Sequence, residues 1–204
     1  MFSLFAVTAV FLASGCGTGK NNDGKFDHYV AEITAVRKEK DEAFKHSPTS
    51  PLPTETKEDF DGLNYYPVRP EYRIVADFLP IQGGIVDIAM TNGKSERYYK
   101  TGYATFAHAE SRHSLLVLRS AEAPNELFLP FYDKTNGIET YGGGRYLNPQ
   151  LISDSKIVID FNLAYNPYCV YSGEFVCPLP PPENRLNVSI EAGEKIVAKD
   201  PGLE

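Results

Sequence analysis

From Phe26 to Phe44 the apolar residues Phe26, Tyr29, Val30, Ile33, Val36 and Phe44 recur at steps of three and four, with charged residues between them. That period predicts one amphipathic helix over residues 26–46. Asp23 or Asp27 is placed to cap its start, and Arg37, Lys38, Lys40 and Lys45 favour its C-terminal half through the helix dipole. The apolar stripe thins after Val36, so the simplest role for this helix is packing on a domain. Pro48, Pro51 and Pro53 then interrupt the chain. Proline suits neither a helix interior nor a central strand, so residues 47–58 read as an extended connector.

From Tyr72 the period changes to two: Tyr72, Ile74, Ala76 and Phe78 alternate with Arg73, Val75 and Asp77, as in a strand with unequal faces. Ile85 to Met90 and Glu96 to Phe106 flank Asn92-Gly93, a pair that tolerates the positive φ of a tight hairpin turn. Leu115 to Arg119, Glu126 to Tyr132 and Lys156 to Phe161 are further strand candidates, with a second turn at Asn136-Gly137. There is neither βαβ alternation nor internal repeat. The expected fold is mainly β: an antiparallel sandwich or partly closed barrel, residues 59–204, with one N-terminal α-helix packed on it.

Residues 1–15, MFSLFAVTAVFLASG, are uncharged and mostly apolar. They are too short for the roughly 20 apolar residues that span a bilayer and read as a signal peptide. Leu12-Ala13-Ser14-Gly15-Cys16 resembles the bacterial lipobox, although Ala13 stands where Leu is usual and no Lys or Arg precedes the apolar run. This resemblance implies a lipid on Cys16, a polar tether over residues 16–25, and attachment to a bacterial membrane on its periplasmic side or at the cell surface; ordinary secretion with a free Cys16 is the alternative. The 204 residues carry 27 acidic and 20 basic side chains, a net charge of −7, with no basic block. Nucleic acid is therefore not an expected partner.

The unusual residues crowd into the last third. In Thr140-Tyr141-Gly142-Gly143-Gly144-Arg145-Tyr146-Leu147 the glycines let backbone approach a ligand or a neighbouring strand, and Arg145 offers a planar fork of donors to a carboxylate or phosphate. No Lys-Ser/Thr pair follows, which excludes a P-loop. The competing reading is a bulged strand whose arginine pairs internally with Asp133, Asp160 or Glu183. Asp160 and Asn162 follow the apolar run Ile157-Val158-Ile159, and a carboxylate at the end of a buried strand needs a cation. Arg145 or Arg185 is the expected partner of Asp160, and Arg145, Asp160 and Glu183 are expected to meet. Cys169 and Cys177 are spaced C-x7-C, which in an exported chain reads first as a disulfide contributing about 2–3 kcal/mol. Zinc would need two more ligands, and His28, His46, His108 and His113 show no metal spacing; a catalytic cysteine is a third reading. No metal or cofactor is implied, and no Gly-x-Ser-x-Gly elbow occurs.

Phe60-Asp61-Gly62-Leu63-Asn64-Tyr65-Tyr66-Pro67, Phe131-Tyr132-Asp133-Lys134-Thr135-Asn136-Gly137, residues 140–147, Asp160 to Cys169, and Cys177 to Leu186 together resemble the bacterial domain of unknown function 1684 over about residues 30–195. The resemblance implies that Asp133, Thr135, Gly137, Tyr141, Gly142, Arg145, Asp160, Asn162, Cys169, Cys177, Pro178, Glu183 and Asn184 are signature positions. It also implies predicted lipoproteins among Bacteroidota members, and no established reaction. Members without evident signal peptides keep both cysteine positions, which speaks for a site there rather than a staple. The leading expectation is a lipid-anchored envelope domain that binds a small polar or anionic ligand through Tyr141, Arg145, Asp160, Asn162, Glu183 and Asn184. One alternative is a hydrolase or transferase with Asp160 or Glu183 as general acid or base, Arg145 holding an anion and Asn162 orienting the substrate. The other is a structural or partner-binding lipoprotein.

Overall fold

The computed structural model describes residues 20–196, with side chains from residue 24 onward. The apolar segment 1–15 and Cys16 lie outside the described residues. The helix, α1, runs from Lys20 to His46, so it reaches back into the stretch read as tether. No helix among the described residues is long and apolar enough to cross a membrane.

Among the described residues eight antiparallel strands follow: β1 (Arg73–Pro80), β2 (Ile85–Ala89), β3 (Ser95–His108), β4 (Ser111–Ser120), β5 (Leu129–Phe131), β6 (Arg145–Leu147), β7 (Gln150–Ser153) and β8 (Lys156–Asp160). The main sheet runs β2-β3-β1-β8-β7, with β4 along the other edge of β3; β5 and β6 form a second, two-stranded sheet. Neither closes into a barrel, and the fold is sandwich-like and mainly β with one helix. The Asn92-Gly93 hairpin joins β2 to β3 with Ala89 opposite Ser95.

Strand β3 organises the sheet because it changes partner part-way. Its first half pairs with β2 and its second half with β1. Between them the register to β4 slips at Thr101, so Lys100 opposes Leu118 while Gly102 opposes Val117. One extra residue reverses the facing of everything after it. Tyr98 thus packs with Ile88, Leu116 and Leu118, whereas Ala104 and Phe106 face the main core with Leu115 and Val117. The uninterrupted run Leu115-Leu116-Val117-Leu118 follows from this: β4 is covered on both faces, and all four side chains are fully buried.

The main core lies between the inner face of β1, β3, β4 and β8 and the β5-β6 ribbon, and includes Phe78, Phe106, Leu129, Phe131, Ile157, Ile159 and Phe161. The period of two in β1 is realised as expected: Tyr72, Ala76 and Phe78 are buried, whereas Arg73, Val75 and Asp77 are exposed. On α1, however, Phe26 and Val36 are about half exposed. The face it packs carries Tyr29, Ile33, Arg37, Lys40 and Phe44, so two cations continue the apolar stripe.

The bend in β3 depends on Gly102, where an added Cβ would lie 2.5 Å from the Leu79 carbonyl oxygen and 2.5 Å from the Phe78 ring. Gly102→Ala is expected to lower stability by about 1–3 kcal/mol, the usual cost of overpacking, measured by denaturant unfolding. An unchanged midpoint would show that the bend has slack.

Candidate functional site

Arg145 is completely buried, with no accessible side-chain surface. Its NH2 donates to Asp133 Oδ2 at 2.7 Å and to the Ile190 carbonyl at 2.8 Å; its NH1 donates to the carbonyls of Ala192 at 2.5 Å and Glu194 at 3.2 Å. The partner carboxylate is Asp133, one of the internal partners considered, and neither Asp160 nor Glu183. Register explains this. Phe131 opposes Arg145 across the β5-β6 ribbon, and Asp133, two residues further, leaves the same face. Gly144 permits the approach: its φ is +91°, and a Cβ there would lie 2.8 Å from the Phe131 carbonyl oxygen and 2.6 Å from Pro180. Asp133 is held in turn by Thr135, whose backbone N–H and hydroxyl both donate to Oδ1. The glycine-rich segment is thus a close-packed strand entry whose arginine is sealed from any ligand.

The other expected site residues separate. Asp160 leaves β8 on the face opposite the core, since Ile157 and Ile159 point inward. Its carboxylate accepts from the Tyr29 hydroxyl at 2.7 and 2.8 Å and from the Asn162 backbone N–H at 3.1 Å, with Arg73 Nε 3.8 Å away. Arg73, directly opposite in the register, is its cation. Burial, and then the hydrogen bond to Asp160, raise the Tyr29 hydroxyl pKa well above its usual range. Asn162 is fully buried and exchanges hydrogen bonds with the backbone of Arg69 at both N–H and carbonyl. Asn184, also buried, accepts from Leu116 N–H and donates to the carbonyls of Leu116 and Pro130, tying β4 to β5. Glu183 is exposed and Tyr141 half-buried, both outside this network. Arg145, Asp160 and Glu183 therefore do not form the cluster expected of them.

What remains open is a groove of about 900 Å³ between α1, the connector and the outer surface of the β domain. Its walls include the rings of Phe44, Tyr65, Tyr98, Phe128, Tyr146 and Tyr165, together with Asp160, Asn162, Cys177 and the exposed Glu126. Arg37 and Lys40 enter it from α1. Lys40 is neutralised by the fully buried carboxylate of Glu194, 3.0 Å away, which also accepts from Asn166 N–H at 2.7 Å and from the Tyr171 hydroxyl. Arg37 has no carboxylate partner among the described residues. It donates to the carbonyls of Tyr66 at 2.9 Å and Asn162 at 3.0 Å and lies 4.5 Å from the centre of the Tyr65 ring. Its Nε and the Tyr65 hydroxyl are both buried without a hydrogen-bond partner. Burial depresses the Arg37 pKa, and burial raises that of Tyr65 above its usual range. Glu194 and Arg37 gave no sequence signal, since both lie in charged stretches that resemble surface; Tyr65 lies in the Phe60–Pro67 motif, but nothing there marked it as a site residue.

Cys169 and Cys177 are free thiols, with the Cys169 N–H donating to Cys177 Sγ at 3.2 Å. No group of three or more metal-ligating side chains occurs among the described residues.

Residues 58–195 match the family described as Protein of unknown function (DUF1684). The chain belongs to this family. Among solved structures it is similar to the solution NMR structure of an uncharacterized protein of Haloarcula marismortui, with a TM-score of 0.65 and 38% identity over 85% of this chain and 97% of that one. Residues 58–204 make up less than three quarters of the chain, so the likeness reaches into the segment that precedes them. No match is found among curated proteins. The DUF1684 match spans Asp133, Arg145 and Glu194, the residues that lock the β domain, and stops short of α1.

Chemically, the arrangement offers a recess for an apolar body with one unneutralised cation on its wall. Asp160 has both oxygens engaged and is poorly placed to exchange a proton with a substrate. Arg145→Ala is expected to leave Asp133 buried without its cation and to cost about 3–5 kcal/mol, read by thermal or denaturant melting. A loss below about 1 kcal/mol would mean that water reaches Asp133.

Proposed function

We propose that this protein binds a small amphiphilic anion, an apolar body carrying a carboxylate or phosphate, in the groove beneath α1. The observation that carries this reading is Arg37: a half-buried guanidinium without a carboxylate in salt-bridge range, beside the unpartnered Tyr65 hydroxyl, on a wall that also carries several aromatic rings. A buried cation is costly unless something neutralises it, and a ligand head group that accepts from Arg37 and Tyr65 would do so. The size of the recess is that of a small-molecule site. The polar end is built from Arg37, Tyr65 and Asn162, while Asp160, screened by Tyr29 and Arg73, shapes the wall. Turnover is not needed for any feature of this site.

The proposal extends to location: a domain anchored by lipid on Cys16 to a bacterial membrane, facing the periplasm or the outside. The apolar, uncharged run of residues 1–15 and the small residues Ser14 and Gly15 before Cys16 support it. Mass spectrometry of the native protein is expected to find a mature chain that begins at a lipid-modified Cys16; an unmodified Cys16, or a different first residue, removes the anchor from the proposal.

Calorimetric titration with a medium-chain alkyl carboxylate and the alcohol of equal length tests the groove itself. The carboxylate is expected to bind at least tenfold more tightly, the difference a charge-assisted hydrogen bond provides. Ala43→Trp, on the groove wall but in no hydrogen bond of the site, is expected to block both ligands, and Arg37→Gln to abolish the preference between them. Equal binding of acid and alcohol, or binding unaffected by Ala43→Trp, overturns the proposal.

A further inference from the structure

We propose that Cys169 and Cys177 form a reversible thiol–disulfide couple in which Cys169 is the attacking thiol and Cys177 the resolving one. This differs from a static staple and does not depend on what occupies the groove. The two residues already meet: the Cys169 N–H donates to Cys177 Sγ at 3.2 Å. A disulfide would bring the two sulfurs to about 2.05 Å. The residues differ in how they are held. Cys177 is buried and fixed to the β2-β3 hairpin: its N–H donates to the Thr91 hydroxyl at 3.0 Å and its carbonyl accepts from Thr91 N–H at 2.9 Å. Cys169 lies in the single helical turn Tyr168–Val170, half-exposed, at the start of a loop whose residues 173–176 are exposed. An incoming reagent therefore meets Cys169 first.

The surroundings make Cys169 the better nucleophile. The hydrogen bond from Cys177 lowers its pKa to about 7 against the opposing effect of burial, helped by the Tyr141 hydroxyl 3.9 Å from its sulfur. The same hydrogen bond, together with burial, pushes the Cys177 pKa up. The pair thus releases one proton readily and retains the second. An accessible thiolate beside a protonated partner is the arrangement that thiol exchange requires.

The oxidant is a low-molecular-weight disulfide. The Cys169 thiolate attacks one of its sulfurs, breaks the S–S bond and expels one thiolate, leaving a mixed disulfide on Cys169. Cys177 gives up its proton to the expelled thiolate, and its sulfur then attacks Cys169 Sγ and expels the second thiolate. Two protein thiols are oxidised and one external disulfide is reduced to two thiols.

The test uses the reduced full chain, with each cysteine assigned by peptide mapping so that Cys16 is counted separately. Alkylation of Cys169 by iodoacetamide is expected to rise with pH to a midpoint near 7, below the ~8.5 of an ordinary cysteine. Oxidised glutathione is expected to produce the Cys169–Cys177 disulfide, reversed by excess reduced glutathione. Cys177→Ala, with its fold checked by circular dichroism, is expected to stop at a glutathione adduct on Cys169 and to alkylate with a midpoint shifted upward. An ordinary midpoint, a dithiol that survives excess oxidised glutathione, or a disulfide that reduced glutathione cannot reopen each overturns the proposal. The wild-type measurements decide it even if the variant fails to fold.

Discussion

A guanidinium removed from water must find acceptors inside the protein, and Arg145 finds its acceptors in the last strip of the described chain. Besides Asp133, it takes the carbonyls of Ile190, Ala192 and Glu194. Residues 186–196 form no regular strand, so their carbonyls have little ladder to enter. One side chain from β6 supplies the donors that a neighbouring strand would otherwise provide. The Ile190 N–H, which donates to Asp133 Oδ1, completes the same knot. Without this pairing the carbonyls of Ile190 and Ala192 would lose the Arg145 donors, although Leu186, Ile190 and Ala192 would still pack in one core with Phe131 and Phe161.

The same device recurs wherever the chain leaves regular structure. Asn184 bridges β4 and β5, Asn162 clamps the backbone of Arg69, and Glu194 gathers Lys40, Tyr171 and the Asn166 N–H. Each is a buried polar side chain that takes at least one backbone partner, and each joins segments far apart in sequence. Glu194 and Arg37 also fasten α1, which touches the domain chiefly through polar contacts and the Phe44 ring. A helix fastened in this way leaves space beside it. The groove is the part of that seam where aromatic rings line the wall and no side chain fills the gap.

These arrangements divide what the sequence reveals from what it hides. The alternation of Tyr72 to Phe78, the Asn92-Gly93 turn and the run Leu115 to Leu118 were legible because period and turn chemistry are local. The β3-β4 hairpin was less visible: its turn is Ala109-Glu110, both at positive φ, held by the long ladder on either side and not by residue preference. Strands β6 and β7 are too short for a period to show. In α1 the stripe failed after Val36 because Arg37 and Lys40, which composition assigns to solvent, continue it inward. The partner of Arg145 followed from a cross-strand register that no local pattern encodes. Asp160 stands after the same kind of apolar run as a core residue, yet alternation sends it to the other face.

A polar residue that stands out in the sequence is thus not evidence of a ligand, and the test is whether its hydrogen-bonding capacity is spent. At Arg145, Asp160, Asn162, Asn184 and Glu194 most of it is spent within the protein, and changing them alters the fold before it alters binding. At Arg37 and Tyr65 a buried donor is left without an acceptor, and at Cys169 a thiol is left accessible beside one that is held. The locking groups belong to the part of the chain matched by the family, whereas Arg37 comes from the helix laid over it. A ligand bridging Arg37 and Tyr65 would add to the contacts by which Arg37 already joins helix to domain, so occupancy of the groove and the seating of α1 would be thermodynamically linked.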